Sequence, residues 1–210
     1  MNRIQIKELA KTKIKGNKWN IIWPMLVIGF INTILTNIFG PKIDINTISD
    51  ISQIHLSSGD YAISSVISII VGVLTAGYLK YILDFVRNGK FDSKTIINTI
   101  KEKWLNLLIA EILTSIIIGI GFVLFVIPGI IMALAYAMVT FIIIDSDNSA
   151  VDALKSSRAM MKGHKWEFFV FGLSFIGWII LTPFTFGLLL IWLFPYMVVA
   201  TTIYYNELKK

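Results

Sequence analysis

The sequence contains no cysteine, and only 15% of its 210 residues are charged. A chain without cysteine has no disulfide framework and no thiolate metal site. Soluble domains carry about 25% charged residues, so this scarcity of charge is atypical of a soluble protein. Four long stretches have no Asp, Glu, Lys, Arg or His at all: residues 19–41, 61–79, 112–144 and 168–206.

These uncharged stretches predict membrane-spanning helices in a chain that is 56% hydrophobic, with a mean hydropathy of +0.74. A spanning helix needs about 20 apolar residues, so the first two stretches suffice for one span each. The last stretch, of 39 residues, suffices for two spans with a tight turn, and residues 105–144 are similar. The predicted fold is all-α, a polytopic transmembrane bundle of six helices in three helical hairpins. The predicted helices cover about 19–39, 61–86, 105–126, 129–145, 166–182 and 186–204.

Positive charge lies almost entirely on one side of the predicted helices. Of the nineteen Lys and Arg residues, only Lys42 is not on this side, and it falls in a predicted external loop at 40–60. Because short basic loops stay cytoplasmic, the sequence predicts a multi-pass protein of the bacterial cytoplasmic membrane with both termini inside. Residues 1–210 then form a single integral membrane domain, with residues 1–18 as a cytoplasmic amphipathic leader.

A cleaved signal peptide is the alternative for residues 1–39. The apolar stretch is longer than the core of a typical signal peptide, and no small-x-small cleavage site follows Phe39. We therefore predict an uncleaved first helix.

A short pattern precedes two of the odd-numbered helices, and a fragment of it precedes the third helix. Residues 15–19 read KGNKW and residues 162–166 read KGHKW, while the third helix has only a Lys-Trp pair. Indole favours the headgroup level and lysine reaches outward from it, so Trp19, Trp104 and Trp166 are predicted membrane-interface anchors. Each glycine is predicted to end a short helix in a left-handed conformation. Duplication of a helical hairpin is one explanation of the repeat, and simple interfacial chemistry is the other.

Three basic segments have an amphipathic helical pattern: the leader, residues 94–104 and residues 149–165. In the last of these, Lys155, Arg158 and Lys162 share the polar side. Basic amphipathic helices lie flat on anionic membranes, so the predicted partners are membrane lipids with anionic headgroups at the cytoplasmic face. The net charge of +6 could also attract nucleic acid. No folded nucleic-acid module is visible, however, and none is predicted as a partner.

Polar residues within the predicted spans are functional candidates. Glu111 lies within the third helix, and Lys80 in the second is its expected ion-pair partner. Asp84 lies one turn after Lys80 and can reach Arg87. A proton or cation site at Glu111 is one hypothesis, and a structural ion pair near the interface is the favoured one. Asn32 in the first helix is expected to act as a hydrogen-bond clasp.

Small residues and prolines predict packing and turns. Ser64, Ser68, Gly72 and Ala76 form a smooth ridge on the second helix, typical of close helix contacts in membranes. A homodimer or another protein partner is an alternative use of the ridge. Three further sites involve proline: external turns are predicted at Pro128-Gly129 and Thr182-Pro183, and a kink at Pro195.

Enzymatic signatures are missing from the sequence. The two histidines are His55, predicted outside, and His164, predicted inside, so they cannot share a site. No HExxH, GxSxG, P-loop or paired-carboxylate motif is present. We therefore predict a protein that is not an enzyme, with no cofactor, no metal site and no catalytic residues.

Motifs along nearly the whole chain carry a resemblance to a family, and the blocks near the C-terminus are the most specific. They comprise Gly77-Tyr78, Asp84, Arg87, residues 127–130, Ala153, Ser157, residues 160–165, residues 173–178, Thr185, Gly187, Trp192 and Pro195-Tyr196. The chain resembles bacterial multi-pass membrane proteins of a domain of unknown function (975 type). It is distantly similar to the membrane domain attached to some glycerophosphodiester phosphodiesterases. The resemblance implies a six-helix plasma-membrane protein and carries no activity with it.

Two functional hypotheses follow. The first is a non-enzymatic plasma-membrane protein that organises lipid or partner proteins in envelope homeostasis or peptide tolerance. The alternative is a small secondary transporter with a polar site around Glu111.

Overall fold

The computed structural model describes residues 2–41 and 58–210. Most of the predicted external loop at 40–60, including Lys42 and His55, lies outside the described residues. The described part is helical and has no strand. Its α-helices are α1 Arg3–Ile14, α2 Lys18–Phe39, α3 Ser58–Asn88, α4 Lys94–Leu124, α5 Val126–Tyr136, α6 Val139–Asp145, α7 Ala150–Met160, α8 Lys165–Leu173, α9 Ile176–Ile180 and α10 Leu188–Leu208.

Within the described residues, five helical segments are long and apolar enough to cross a membrane. They are α2, α3, α4, the segment Val126–Asp145 formed by α5 with α6, and α10. Antiparallel neighbours pack against each other along α2, α3, α4 and α5, and α10 packs against α1, α2 and α3. The prediction of an all-α bundle is confirmed.

The fifth predicted helix, at 166–182, differs from the prediction because it is broken at Ser174. The amide of Trp178 bonds to the carbonyl of Phe175, three residues back, and leaves the Ser174 carbonyl without a helical partner. Lys7 of α1 donates to that carbonyl at 2.9 Å. At the break, the Lys7 side chain of the leader therefore supplies the hydrogen-bond donor that the Ser174 carbonyl lacks.

The third predicted helix, at 105–126, begins earlier than predicted. Residues 94–104, expected to form a separate surface helix, are the first turns of a continuous α4 of 31 residues. They pack against α3 at Gly77, where a Cβ atom would lie only 2.9 Å from the Ile96 carbonyl oxygen. Tertiary contact with α3 holds this polar segment in line with the apolar one.

The fourth predicted helix, at 129–145, is divided between Tyr136 and Val139 into α5 and α6. Buried Ser157 of α7 bridges the division, accepting from the Met138 amide at 3.3 Å and donating to the Ala135 carbonyl at 2.9 Å. The hydroxyl thus partners backbone groups on both sides of the break.

Tight turns join α4 to α5 and α9 to α10. Only Phe125 separates α4 from α5, so the turn lies just before the predicted Pro128-Gly129, and Pro128 sits in the first helical turn, where its missing N–H is tolerated. The predicted turn at Thr182-Pro183 is a 3₁₀ segment, Pro183–Thr185. Helix α10 continues through Pro195, and the kink stays a prediction.

The leader and α7 are not free surface helices. The apolar face of α1, formed by Ile6, Ala10 and Ile14, is buried within the bundle, and so are Ala153 on α7 and Met161 directly after it. The expectation that these apolar faces lie in lipid is corrected, since protein covers them.

Glycine follows both of these helices in the left-handed conformation, as the KGNKW and KGHKW patterns predict. Gly16 has a φ of +90° and Gly163 has a φ of +89°. Each turns the chain from a short basic helix into the next helix, α2 or α8. We call the end of the bundle where α1 and α7 lie the basic end.

Candidate functional site

A charged network at the basic end joins three helices through Asp145. This residue ends α6, and its side chain is only 4% exposed. Arg87 of α3 contacts both carboxylate oxygens, with one guanidinium nitrogen 2.9 Å from Oδ2. From α10, the Tyr205 hydroxyl donates to Oδ2 at 2.8 Å, and the Lys209 ammonium lies 2.6 Å from the same oxygen.

The network differs from the pairing expected from sequence. Asp84 forms an ion pair with Lys80 at 3.0 Å, whereas Arg87 pairs with Asp145 and donates from Nε to Asn206 Oδ1 at 2.9 Å. Sequence reasoning missed Asp145 because its partners lie 58 to 64 residues away along the chain. The only local signal was an acid at the end of an apolar run.

Glu111 lines a cavity with polar residues of four helices. The cavity has a volume of about 440 Å³. Its polar or small lining residues are Asn32 of α2, Ser68, Gly72, Thr75 and Ala76 of α3, Glu111 of α4 and Thr140 of α6. Glu111 itself is exposed on the side of the bundle, and a Cβ atom on Gly72 would lie 3.4 Å from its carboxyl carbon.

The expected ion pair between Glu111 and Lys80 is wrong. Lys80 lies about 12 Å along α3 from Gly72, the residue that faces Glu111, given a rise of about 1.5 Å per residue. Lys80 pairs with Asp84 instead. Among residues 2–41 and 58–210, the Glu111 carboxylate has no ion-pair or hydrogen-bond partner.

A second cavity, of about 230 Å³, adjoins the first and shares Asn32, Val71 and Thr75 with it. Its other walls include Met25, Ile28 and Phe194, and are mostly apolar. The polar cavity thus shares a wall with an apolar one between α2, α3 and α10.

The predicted interface residues all lie exposed. Trp19, Trp104 and Trp166 are 71%, 51% and 72% exposed. Lys155 lies 3.7 Å from Asp152, in a loose pair of exposed side chains. Within the part of the chain that the structure describes, these exposed cations have no ion-pair partner: Arg3, Lys11, Lys15, Lys18, Lys90, Lys94, Lys101, Arg158 and Lys162.

Two lysines near the basic end donate hydrogen bonds to backbone carbonyls. Lys7 donates to Ser174 and lies 4.3 Å from the centre of the Phe175 ring, and burial lowers its pKa, with a further lowering from neighbouring Lys11 and Arg3. Lys103 donates to the Ser146 carbonyl at 3.1 Å and pairs with Asp147. The hydrogen bond from Lys103 lowers the pKa of the Asp147 carboxyl.

Among the described residues, no cluster of three His, Cys, Asp or Glu side chains could hold a metal ion. The absence of a catalytic function, a cofactor and a resident metal stays a prediction.

Apolar helices of spanning length, packed as an all-α bundle with one basic end, define a membrane-embedded protein. The family model described as "Protein of unknown function (DUF975)" matches residues 1–134 and 116–210, and the chain belongs to this family. No curated protein and no solved structure matches the chain. The family resemblance predicted from the motifs is confirmed. The distant similarity to the membrane domain of glycerophosphodiester phosphodiesterases stays a prediction.

Proposed function

We propose that this protein is a non-enzymatic multi-pass protein of the bacterial cytoplasmic membrane that organises anionic lipids at the cytoplasmic face. We further propose that this role serves envelope homeostasis or tolerance to antimicrobial peptides. The observation that carries the proposal is the surface left at the basic end, where apolar helix faces are covered by protein and basic faces are free.

Because protein covers the apolar faces of α1 and α7, these helices cannot contact lipid in the way that the sequence predicts. Because Ile6, Ala10 and Met161 are buried in the bundle, α1 and α7 have no apolar stripe available to insert among acyl chains. Their outward surface is mainly polar and charged, with Ile4, Leu9 and Val151 as exposed apolar side chains. An exposed cation near an anionic membrane surface contributes about 1 kcal/mol of attraction, so the basic end favours anionic headgroups over zwitterionic ones.

The Asp145 network supports this arrangement from within. It pairs Arg87 and Lys209 with one buried carboxylate, which distinguishes cations that hold helices together from cations that are free for lipid. The Tyr81 hydroxyl contacts the Asn20 carbonyl beside Trp19, and Arg87 lies about 9 Å further along α3 at about 1.5 Å per residue. With Trp19 at the headgroup level, the network lies on the cytoplasmic side of it.

Lipid selectivity tests the proposal directly. The protein is reconstituted in phosphatidylcholine bilayers, and electron spin resonance measures its association with spin-labelled phosphatidylglycerol and phosphatidylcholine. We expect phosphatidylglycerol to be favoured at least twofold at low salt, with the preference reduced at high salt because exposed charges are screened.

The matched variants use three exposed cations of α7 and the turn that follows it. Neutralising them together, with Lys155→Gln, Arg158→Gln and Lys162→Gln, should reduce the preference. The charge-retaining set, Lys155→Arg, Arg158→Lys and Lys162→Arg, should leave it unchanged. Equal association of both lipids with the native protein would contradict the proposal.

A test in cells addresses the physiological role. Deletion of the gene is followed by lipid profiling and by measurement of antimicrobial-peptide sensitivity. Complementation by the charge-retaining set but not by the neutralised set is the expected result. Full complementation by both sets contradicts a role for these cations.

A small secondary transporter is the second candidate function, and one observation favours it. Glu111, Asn32 and Thr140 come from three different helices and line one cavity. Broken helices often accompany transport sites, and Thr140 lies just after the division between α5 and α6. Loss of a transport phenotype in Glu111→Gln, with normal membrane insertion, would support this candidate.

A further inference from the structure

The cavity at Glu111 gathers polar groups that the protein itself does not use. In the described part of the chain, the side chains of Glu111, Asn32 and Thr140 form no hydrogen bond or ion pair. By contrast, Ser68 and Thr75 in the same lining donate to carbonyls of their own helix, at 2.9 and 2.8 Å. Three free polar side chains on three helices are unusual where the surroundings are apolar, because such groups need partners there.

The charge of the lining selects the sign of a ligand. Glu111 is the one charged residue of this cavity wall, and Lys80, the nearest cation along α3, is held by Asp84. An ionised carboxylate facing hydrocarbon is stabilised by an opposite charge. One carboxylate matches one positive charge.

The neutral polar groups of the lining select the type of cation. Asn32 and Thr140 offer oxygen acceptors beside the carboxylate. A primary ammonium has three N–H donors and no acceptor, so it can donate to a carboxylate, an amide oxygen and a hydroxyl together. A quaternary ammonium has no such donors and would leave these oxygens unpaired.

The neighbouring cavity selects the remainder of the ligand. It shares Asn32 and Thr75 with the polar cavity and is walled by Met25, Ile28 and Phe194. Glu111 is exposed on the side of the bundle, where the apolar helices α3 and α4 would face lipid. A ligand can therefore enter from the bilayer and place an alkyl chain beside its polar head.

We propose that this pair of cavities binds a primary alkylammonium ion, with the ammonium at Glu111 and the alkyl chain between α2, α3 and α10. This binding site is the one that the second candidate function, transport, would use. The binding proposal rests on that candidate only in sharing its location, because binding does not require transport. Lipid organisation at the basic end is independent of it.

The binding test uses dodecylammonium as the probe and isothermal titration calorimetry on the protein in phosphatidylcholine nanodiscs, with empty nanodiscs subtracted. We expect one saturable site per protein. Glu111→Gln should weaken binding at least tenfold, and Asn32→Ala several-fold. Glu102→Gln, on the same helix but outside this cavity, should bind as the native protein does.

Two further measurements separate the outcomes. Glu111→Asp keeps the charge and should retain a saturable site, which controls for a folding defect in Glu111→Gln, and dodecanol should show only partition into lipid. Native-like affinity in Glu111→Gln, or saturable binding of dodecanol at similar affinity, overturns the proposal. Amine uptake into proteoliposomes is measured separately, so that binding without uptake contradicts the transporter and leaves the site intact.

Discussion

The Tyr81 hydroxyl donates a 2.9 Å hydrogen bond to the carbonyl of Asn20. Pro24 follows Asn20 by four residues within α2 and has no N–H, so this carbonyl has no helical donor. One residue further on, Tyr78 donates to the Ile21 carbonyl at 3.0 Å. Tyr81 of α3 thus supplies the donor that a proline removes from α2, in surroundings where an unpaired backbone group is costly.

Replacing Tyr81 by Phe should destabilise the protein by about 1–3 kcal/mol, since it leaves a carbonyl without a partner. In a Pro24→Ala background the same replacement should cost less, because alanine at this position supplies the N–H that the Asn20 carbonyl lacks. The free energy of unfolding in mixed micelles titrated with dodecyl sulfate measures both effects. Tyr136→Phe is the control, since the Tyr136 hydroxyl has no hydrogen-bond partner among the described residues. If Tyr81→Phe reduced the free energy of unfolding equally in the two backgrounds, the hydrogen bond from Tyr81 would not be compensating for the missing N–H of Pro24.

Asp145→Asn should destabilise the bundle by about 2–3 kcal/mol, somewhat less than breaking a fully buried pair because Arg87 and Lys209 still reach solvent. The change keeps the shape of the side chain, removes its charge and replaces one acceptor oxygen by an NH2 donor. Asp147→Asn, two residues away on a fully exposed side chain, should have a much smaller effect on stability, because exposed ion pairs contribute little. The same unfolding titration distinguishes them. A similar response of both variants would mean that the network does not join α3, α6 and α10 energetically.

Gly77→Ala should weaken the packing of α3 on α4 by about 1–3 kcal/mol, as overpacking does. A Cβ atom there would meet the Ile96 carbonyl oxygen at 2.9 Å and the side chains of Ile96 and Ile100 at 3.1 Å. Gly119→Ala on α4 is the matched control, because a Cβ atom at that position meets nothing within 4 Å. Thermal unfolding should separate the two variants, and an unchanged midpoint for Gly77→Ala would contradict this close approach.

Lys7→Met should loosen the leader from the bundle. The change removes the donor to the Ser174 carbonyl and the cation over the Phe175 ring. Hydrogen exchange of the α1 amides should become about tenfold faster, which corresponds to about 1.4 kcal/mol. Lys11→Met, at an exposed position on the same helix, should leave exchange unchanged. Unaltered protection in Lys7→Met would mean that Ile6, Ala10 and Ile14 hold the leader without it.

The lengths of the uncharged runs were sufficient to predict the class of fold. The first two helices, and the turn at Thr182-Pro183, follow from local chemistry, because a run of apolar residues or a proline acts on its own segment. The left-handed Gly16 and Gly163 were predictable for the same reason.

Features that depend on distant contacts were not predictable. The break at Ser174 depends on Lys7, 167 residues away, and the division between α5 and α6 depends on Ser157. An amphipathic face likewise indicates burial without indicating what covers it, so the apolar stripes of α1 and α7 were assigned to lipid instead of protein. The Asp145 network escaped prediction because its members share no local pattern.

The basic end must face the cytoplasm for the proposed lipid contacts to form, and cysteine labelling tests this directly because the chain has no native cysteine. Ser58 and Ser93 are exposed and lie at opposite ends of α3, Ser58 at its first residue and Ser93 in the turn after it. A membrane-impermeant maleimide should label Ser58→Cys in intact bacterial cells and Ser93→Cys only after the membrane is opened. Labelling of Ser93→Cys in intact cells, with Ser58→Cys protected, would contradict the proposed orientation and the lipid contacts built on it.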